Sequence, residues 1–125
     1  MSKVIHVDDI PFAEVVWGLT KEIIAPGTVG AKKVKVKITE YLPGYVHQLH
    51  IHPDQEEIIF VLSGKGVTES SSGERKEIGP GSVVYVSAGE PHATSNLSVS
   101  ESLKAIIIKA PPEDEEVTIM GERAG

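Results

Sequence analysis

Residues 44–64 read GYVHQLHIHPDQEEIIFVLSG, a stretch that places two histidines two positions apart and a glutamate five positions further on. Side chains on a β-strand alternate between its two faces, so His50 and His52 point the same way. Glu57 opens the next apolar run, which has the composition of a second strand. Two imidazoles and one carboxylate on neighbouring strands are a partial ligand set for a metal ion.

A second stretch, residues 81–96, reads GSVVYVSAGEPHATSN and contributes a third imidazole, that of His92. An imidazole from a distant strand can meet the first three groups at one point inside a β-sheet domain. Three nitrogens and one oxygen suit a divalent first-row transition metal: iron, manganese, nickel, zinc, cobalt or copper. Such a site leaves coordination positions for water, substrate or dioxygen.

The two stretches resemble the two motifs of the cupin superfamily, and the resemblance covers roughly the middle half of the chain. It implies a small double-stranded β-helix, in which two antiparallel sheets roll into a barrel around a metal. In the motifs, the metal-ligand positions are those of His50, His52, Glu57 and His92. Ser87 stands where the second motif usually has proline, a difference expected to alter local stiffness and not metal binding. The remaining motif residues are expected to be structural: Gly44, Gly64, Gly81, Gly89 and Asn96.

Two adjacent glutamates, Glu56 and Glu57, compete for the carboxylate position. The cupin motif has six residues between its glutamate and the next glycine, and counting back from Gly64 selects Glu57. Strand alternation agrees with this choice, because Glu57 would share a face with Ile59 and Val61 while Glu56 faced solvent.

Composition limits the classes of function. The 125 residues suffice for one domain and include no cysteine, which excludes thiolate ligands and disulfides. A formal net charge of −6 lacks the basic footprint of a nucleic-acid-binding protein. The N-terminal residues carry no long apolar segment, and no run approaches membrane-spanning length. We therefore expect a cytoplasmic protein whose partner is a small molecule, with no nucleic acid and no membrane.

Short β-branched segments between turn residues predict an all-β chain without a long helix. In residues 32–37, KKVKVK, we interpret the alternation as a strand with lysines on its wet face and valines on its buried face. The predicted strands are Val4–Val7, Val15–Trp17, Glu22–Ile24, Lys33–Tyr41, Val46–His52, Glu57–Leu62, Gly66–Glu69, Glu74–Ile78, Ser82–Val86, His92–Asn96 and Leu103–Lys109.

We divide the chain into three parts. Residues 1–30 are expected to form strands that pack on the barrel or on a dimer partner, and residues 31–110 the barrel itself. Residues 111–125 form an acidic tail, interpreted as a solvated terminus. The alternative is that Val117, Ile119 and Met120 add a last strand.

Several residues near the motifs are candidates for the pocket. His47 lies three positions before the first ligand, so in a continuous strand it faces away from the metal. Gln48 shares the ligand face and either lines the substrate pocket or is an interior amide satisfied by backbone. Tyr41 is expected near the mouth, as a packing residue or a proton donor. Ile59 and Val61 are expected to wall the cavity.

The leading hypothesis is a metal-dependent enzyme acting on a small oxygen-bearing molecule by dioxygenase-, isomerase- or lyase-type chemistry, with Glu57 as base. The chain has only two arginines, Arg75 and Arg123, and neither falls at an interior position, which disfavours a clamped dicarboxylate such as oxalate. The alternative is a non-catalytic, metal-dependent module that binds a small molecule. The resemblance to small cupins also implies a homodimer.

Overall fold

The computed structural model describes residues 2–112 and 116–118, and this part of the chain is almost entirely β. A short 3-10 helix spans Val7–Asp9, and a single helical turn, α1, spans Pro26–Val29. The strands are β1 Ala13–Val15, β2 Gly18–Ile24, β3 Lys35–Tyr41, β4 Val46–Ile51, β5 Glu56–Ser63, β6 Gly66–Ser70, β7 Arg75–Ile78, β8 Val83–Val86, β9 His92–Ser95, β10 Leu103–Ala110 and β11 Val117–Thr118.

The strands form two antiparallel sheets, as the sequence predicts. The larger sheet has the order β1-β2-β3-β10-β5-β8, and the smaller has the order β11-β4-β9-β6-β7. Neighbours in the larger sheet come from distant parts of the chain, since β10 lies between β3 and β5. The chain therefore alternates between the sheets, and each of the two motif stretches contributes strands to both.

One predicted strand, Val4–Val7, is wrong. Val4 is 96% exposed, and the described chain has the 3-10 helix Val7–Asp9 where this strand would end. The Nδ1 atom of His6 accepts a hydrogen bond from the backbone N–H of Asp8 at 3.1 Å, which caps this helix. A β-branched segment with no apolar surface to cover gains little from extended structure, so a local cap decides its conformation.

The faces of β3 are opposite to those predicted from the KKVKVK alternation. Lys35 is only 7% exposed, and Lys37 pairs across β10 with Ile107, which is a core residue. Residues directly opposite in an antiparallel pair share a face, so the lysines of β3 point into the barrel and Val36 and Ile38 point outward. Lysines and β-branched residues do alternate between the two faces of β3, but only the pairing with β10 determines which face is buried.

The outer face of the larger sheet is consequently apolar over four strands. Exposure is substantial at Phe60 (42%), Val83 (58%) and Tyr85 (57%). Cross-strand pairing arranges the outer residues in two rows. The rows are Val36, Ile108, Ile58 and Tyr85, and beside them Ile38, Ile106, Phe60 and Val83.

The C-terminal segment does add a strand. In β11, Val117 pairs with Ile51 and Thr118 with His50, so the segment lies beside the ligand strand β4. Ile119 and Met120, which the alternative interpretation placed in this strand, lie outside the described residues, as do 113–115 of the acidic run. Within the described ranges, the helices are too short to cross a bilayer.

Gly64, which follows β5, offers a test of the close approach between the end of β5 and the start of β10 in the larger sheet. Its φ is +86°, and a Cβ there would strike the carbonyl oxygen of Ser102 and lie 2.9 Å from the Cα of Leu103. We expect Gly64→Ala to lower the free energy of unfolding by about 3 kcal/mol, the sum of left-handed strain and overpacking. Urea unfolding of the purified variant measures this.

The matched control is Gly73→Ala. Its φ is +85°, nearly the same, but a Cβ there would meet nothing within 4 Å. This variant carries only the backbone strain, about 1–2 kcal/mol. Equal destabilisation by the two substitutions would contradict the close approach at Gly64.

Candidate metal centre

The four ligands predicted from the motifs meet between the two sheets. His50 lies in β4, His52 immediately after it, Glu57 at the start of β5 and His92 at the start of β9. Their exposed fractions are 1%, 2%, 4% and 4%. One ligand atom from each, an imidazole nitrogen or a carboxylate oxygen, lies within 4.8 Å of the other three. The structure therefore brings together four groups able to hold one metal ion.

Strand pairing and one turn explain why these residues meet. His50 lies directly opposite His92 in the β4–β9 ladder. After β4 the chain turns at Pro53 and Asp54 and crosses to the larger sheet, which carries Glu57 over the two histidines.

The side chains converge on the Glu57 carboxylate. Glu57 Oε1 is 3.3 Å from Nε2 of His52 and 3.5 Å from Nε2 of His92. The imidazole rings of His50 and His92 have centroids 4.2 Å apart. Metal–nitrogen and metal–oxygen bonds of about 2.0–2.2 Å would require only small side-chain movements from this arrangement.

The hydrogen bonding of His50 leaves one ring nitrogen available as a ligand. Its Nδ1 is 2.6 Å from the carbonyl oxygen of Gln48, and since a carbonyl only accepts, Nδ1 carries the proton. The lone pair is therefore on Nε2. That atom, the Nε2 of His92 and Oε1 of Glu57 are buried without a hydrogen bond among the described residues. Buried polar atoms in this condition are costly, and a bound cation would satisfy all three.

Burial also keeps the imidazoles in the form that binds metals. Desolvation, followed by repulsion from neighbouring histidines, lowers the pKa of His50 to about 4 and that of His92 to about 2. Both rings are neutral at pH 7, so metal binding at these rings does not have to displace a proton. Burial raises the pKa of Glu57, and the positive charge of Lys109 opposes that shift.

His47 lies beside the ligands, which contradicts the expectation that it faces away. The β4–β9 register shifts between His47 and His50, and this irregularity breaks the two-residue alternation of the strand. The His47 ring stacks on that of His50 at a centroid distance of 3.9 Å and on Trp17 at 4.6 Å. Its Nε2 is 3.1 Å from Oε1 of Glu116. His47, His50 and Glu116 form a second, less buried group of possible ligands.

The same irregularity moves Gln48 away from its expected place. We expected the Gln48 side chain on the ligand face. It is instead exposed and lines an outer groove near His47. In its place Leu49 is buried, at 4% exposure. Only the backbone carbonyl of Gln48 reaches the site, through its bond to His50.

The other predicted pocket residues lie in the barrel wall. Tyr41 is 2% exposed, stacks on Trp17 at 4.8 Å, and has a pKa raised by burial and by the charge of Glu57. Ile59 and Val61 are 1% and 0% exposed and belong to the core. Asn96 is structural, as expected, because its side-chain amide donates to the carbonyl of Tyr41 at 2.9 Å.

Two lysines line a small cavity beside Glu57, and one of them, Lys37, was predicted to lie on the wet face of its strand. The cavity has a volume of about 40 Å³, and Lys37 and Lys109 line it together with Thr39, Tyr41 and Glu57. Lys109 is 5% exposed and lies directly opposite Glu57 in the β5–β10 ladder. The interior thus contains positive charge although Arg75 is half exposed on β7 and Arg123 lies outside the described residues.

Comparison with known proteins identifies the family to which this architecture belongs. A family model described as "Cupin domain" matches residues 37–109, which is more than half of the chain. The chain belongs to the cupin family. A cupin has the double-stranded β-helix that the sequence predicts, and similar solved structures confirm this fold.

Three solved structures illustrate the likeness. The polyketide cyclase RemF from Streptomyces resistomycificus has a TM-score of 0.81 at 23% identity, covering 98% of this chain and 89% of RemF. The DMSP lyase DddQ from Ruegeria pomeroyi has a TM-score of 0.72 at 24% identity, covering 89% and 53%. An uncharacterized double-stranded β-helix protein from Klebsiella pneumoniae has a TM-score of 0.77 at 18% identity, covering 96% and 93%. At these identities the likeness concerns the fold.

One curated relative is similar in sequence. An uncharacterized protein of Streptomyces coelicolor is 37% identical over 59 residues, which are 47% of this cupin and 53% of the relative. The match therefore spans about half the length of the relative.

Substitution of the ligands distinguishes the two possible groups. We expect the cupin, purified without chelators, to contain about one first-row transition ion per chain, and His52→Ala to lower its metal affinity at least tenfold. Elemental mass spectrometry after equilibrium dialysis measures both quantities. His52 belongs only to the buried group, so this loss assigns the ion there.

The control is His47→Ala, which removes an imidazole from the second group only. We expect this variant to retain its ion. Loss of metal in His47→Ala with retention in His52→Ala would instead assign the ion to His47, His50 and Glu116.

Proposed function

We propose that this cupin is a metal-dependent enzyme that acts on a small oxygen-bearing molecule. In this proposal His50, His52, Glu57 and His92 bind one divalent first-row transition ion. The proposal is carried by the burial of four ligand atoms within reach of one ion, three of which have no hydrogen bond among the described residues. A group arranged only for stability would have its buried polar atoms satisfied by hydrogen bonds.

The substrate would reach the site through an outer groove of about 430 Å³. This volume lies in the range of about 300–1,000 Å³ that is common for small-molecule sites. Trp17, His47 and Glu116 line both the groove and the inner cavity beside Glu57, so they separate the two spaces. The exposed amide of Gln48 lies at the groove, and here we propose its contact with substrate.

The chemistry we propose is proton transfer at a carbon next to a substrate oxygen, as in isomerases and lyases. The ion, when bound, supplies a Lewis acid that polarises this oxygen. Glu57 would accept the proton as general base when the ion does not hold its carboxylate. Tyr41, whose pKa is raised by burial, remains protonated and can donate a hydrogen bond.

The comparisons support a catalytic function without naming the reaction. Two of the similar structures carry the names of enzymes, a polyketide cyclase and a lyase. The same ligand set would serve a dioxygenase if the ion were iron or copper, and this is the redox-active variant of the proposal. Consumption of dioxygen distinguishes it from proton transfer.

The role of Glu57 can be tested before the natural substrate is known. Manganese-loaded cupin is incubated in D₂O with hydroxyacetone or acetylacetone, and exchange of the carbon-bound protons is followed by NMR. We expect catalysed exchange in the wild type and a decrease of about 100-fold in Glu57→Gln, the usual contribution of a general base. Retained manganese in the variant would assign the loss to proton transfer.

The matched control is Glu56→Gln, which changes the neighbouring, exposed carboxylate on the other face of β5. It should exchange protons at the wild-type rate. If the wild type binds these ketones but neither exchanges their protons nor consumes dioxygen with them, the enzyme proposal is wrong, and a non-catalytic binding module is left.

We also propose that the cupin is a homodimer formed through the outer face of the larger sheet. The face carries two rows of apolar residues, and its exposed members include Phe60, Val83 and Tyr85. Apolar patches of this kind on a folded domain mark association surfaces. The N-terminal strands, our other candidate for an interface, have a place in the same chain, because β2 pairs with β3.

Light scattering tests the dimer. We expect about twice the chain mass of 13.4 kDa for the wild type and the chain mass for Phe60→Lys, because a buried unpaired ammonium opposes association. Leu97→Lys is the control, since Leu97 is 59% exposed but lies in the loop after β9. A wild type of 13.4 kDa would contradict the proposal.

A further inference from the structure

The cavity beside Glu57 carries more positive charge than Glu57 requires. Its lining includes the side chains of Lys37 and Lys109 and the carboxylates of Glu57 and Glu116. Among the residues that the structure describes, these four formal charges cancel, and a divalent ion held by the ligand set adds two positive charges. A low-dielectric interior with two unbalanced positive charges favours an anion as its next occupant.

The strand register holds both lysines toward the ligands. Lys109 lies directly opposite Glu57, and Lys37 lies opposite Ile107, which in turn lies opposite the core residue Ile59. The charges of both lysines act on the Glu57 carboxyl group, and that of Lys109 is the stronger influence. Both ammonium groups therefore act electrostatically on a carboxylate that would hold the ion.

The volume of the cavity limits the size of the group that it can hold. Its volume is about 40 Å³, while a water-sized group occupies about 10–15 Å³ on this measure. About three or four non-hydrogen atoms fill it, which is close to the size of a carboxylate. Thr39 belongs to the same lining, and its hydroxyl group lies 2.9 Å from that of Thr20.

We propose that Lys37 and Lys109 form an anion subsite that holds the carboxylate of a small carboxylic acid while another oxygen of the molecule faces the ion. The inference rests on the proposed function, since the ion supplies the unbalanced charge. It names 2-hydroxy or 2-oxo acids as the substrate class, and in it two lysines take the part that an arginine would have in clamping a carboxylate.

The test uses cobalt-loaded protein and two probes that differ in one charge, glycolate and its neutral amide, glycolamide. Binding is followed through the visible absorption of cobalt. We expect glycolate to bind at least tenfold more tightly than glycolamide to the wild type. Lys37→Met should weaken glycolate binding at least tenfold and leave glycolamide within twofold, because only the charged probe uses the ammonium group.

Two variants control for structural effects. Lys37→Arg keeps the charge and should retain most of the glycolate affinity. Lys35→Met removes another inward lysine of β3, one that lies 3.2 Å from Glu22 and outside the cavity lining, and should leave both affinities unchanged. Lys37 is preferred to Lys109 for the decisive substitution, because Lys109 also lies directly opposite the ligand Glu57.

The outcomes separate this inference from the proposed function. If the wild type and Lys37→Met retain cobalt equally and bind glycolate equally, the anion subsite is wrong, the lysines are structural counter-charges and the metal site stands. An equal loss for glycolate and glycolamide would likewise overturn the subsite, since charge would not be the cause. If the wild type retains no cobalt, the metal proposal itself fails, and with it the inference.

Discussion

The burial of the Glu57 carboxylate between two sheets is the constraint around which the site is organised. A carboxylate that is 4% exposed must be compensated by nearby positive charge or become neutral. Lys109 provides one positive charge from the neighbouring strand β10. The imidazoles of His52 and His92 approach the same carboxylate, and burial together with repulsion from His50 keeps His92 neutral by lowering its pKa. A cation among these groups would complete the compensation.

An irregularity in β4 places His47 beside the ligand His50. A strand with regular alternation would bury Gln48 and expose His47. The register shift between His47 and His50 reverses this, so His47 stacks between Trp17 and His50 and closes the inner cavity from the outer groove. Because Glu116 is 3.1 Å from His47, the C-terminal segment takes part in the same boundary. One extra residue in the β4–β9 ladder therefore places His47 between the outer groove and the ligands.

The orientation of β3 determines both the charge inside the barrel and the apolar residues on its outer face. When the lysines of β3 turn inward, the β-branched residues between them must turn outward, because a strand has only two faces. Lys37 therefore contributes to the cavity beside Glu57, and Val36 contributes to the apolar outer face. The proposed anion subsite and the proposed dimer surface are two consequences of one choice of face.

The sequence by itself predicted an all-β chain, because strand alternation is a pattern over a few residues. Its resemblance to the cupin motifs implied the barrel, the selection of Glu57 over Glu56 and the meeting of Glu57 with His50, His52 and His92. Only the tertiary structure decided the position of His47, the exposure of Gln48 and the inward direction of Lys37 and Lys109. Alternation says that neighbours lie on opposite faces but not which face is covered. That depends on pairing between strands distant in the chain, such as β3 with β10, and on a bulge that no local pattern marks.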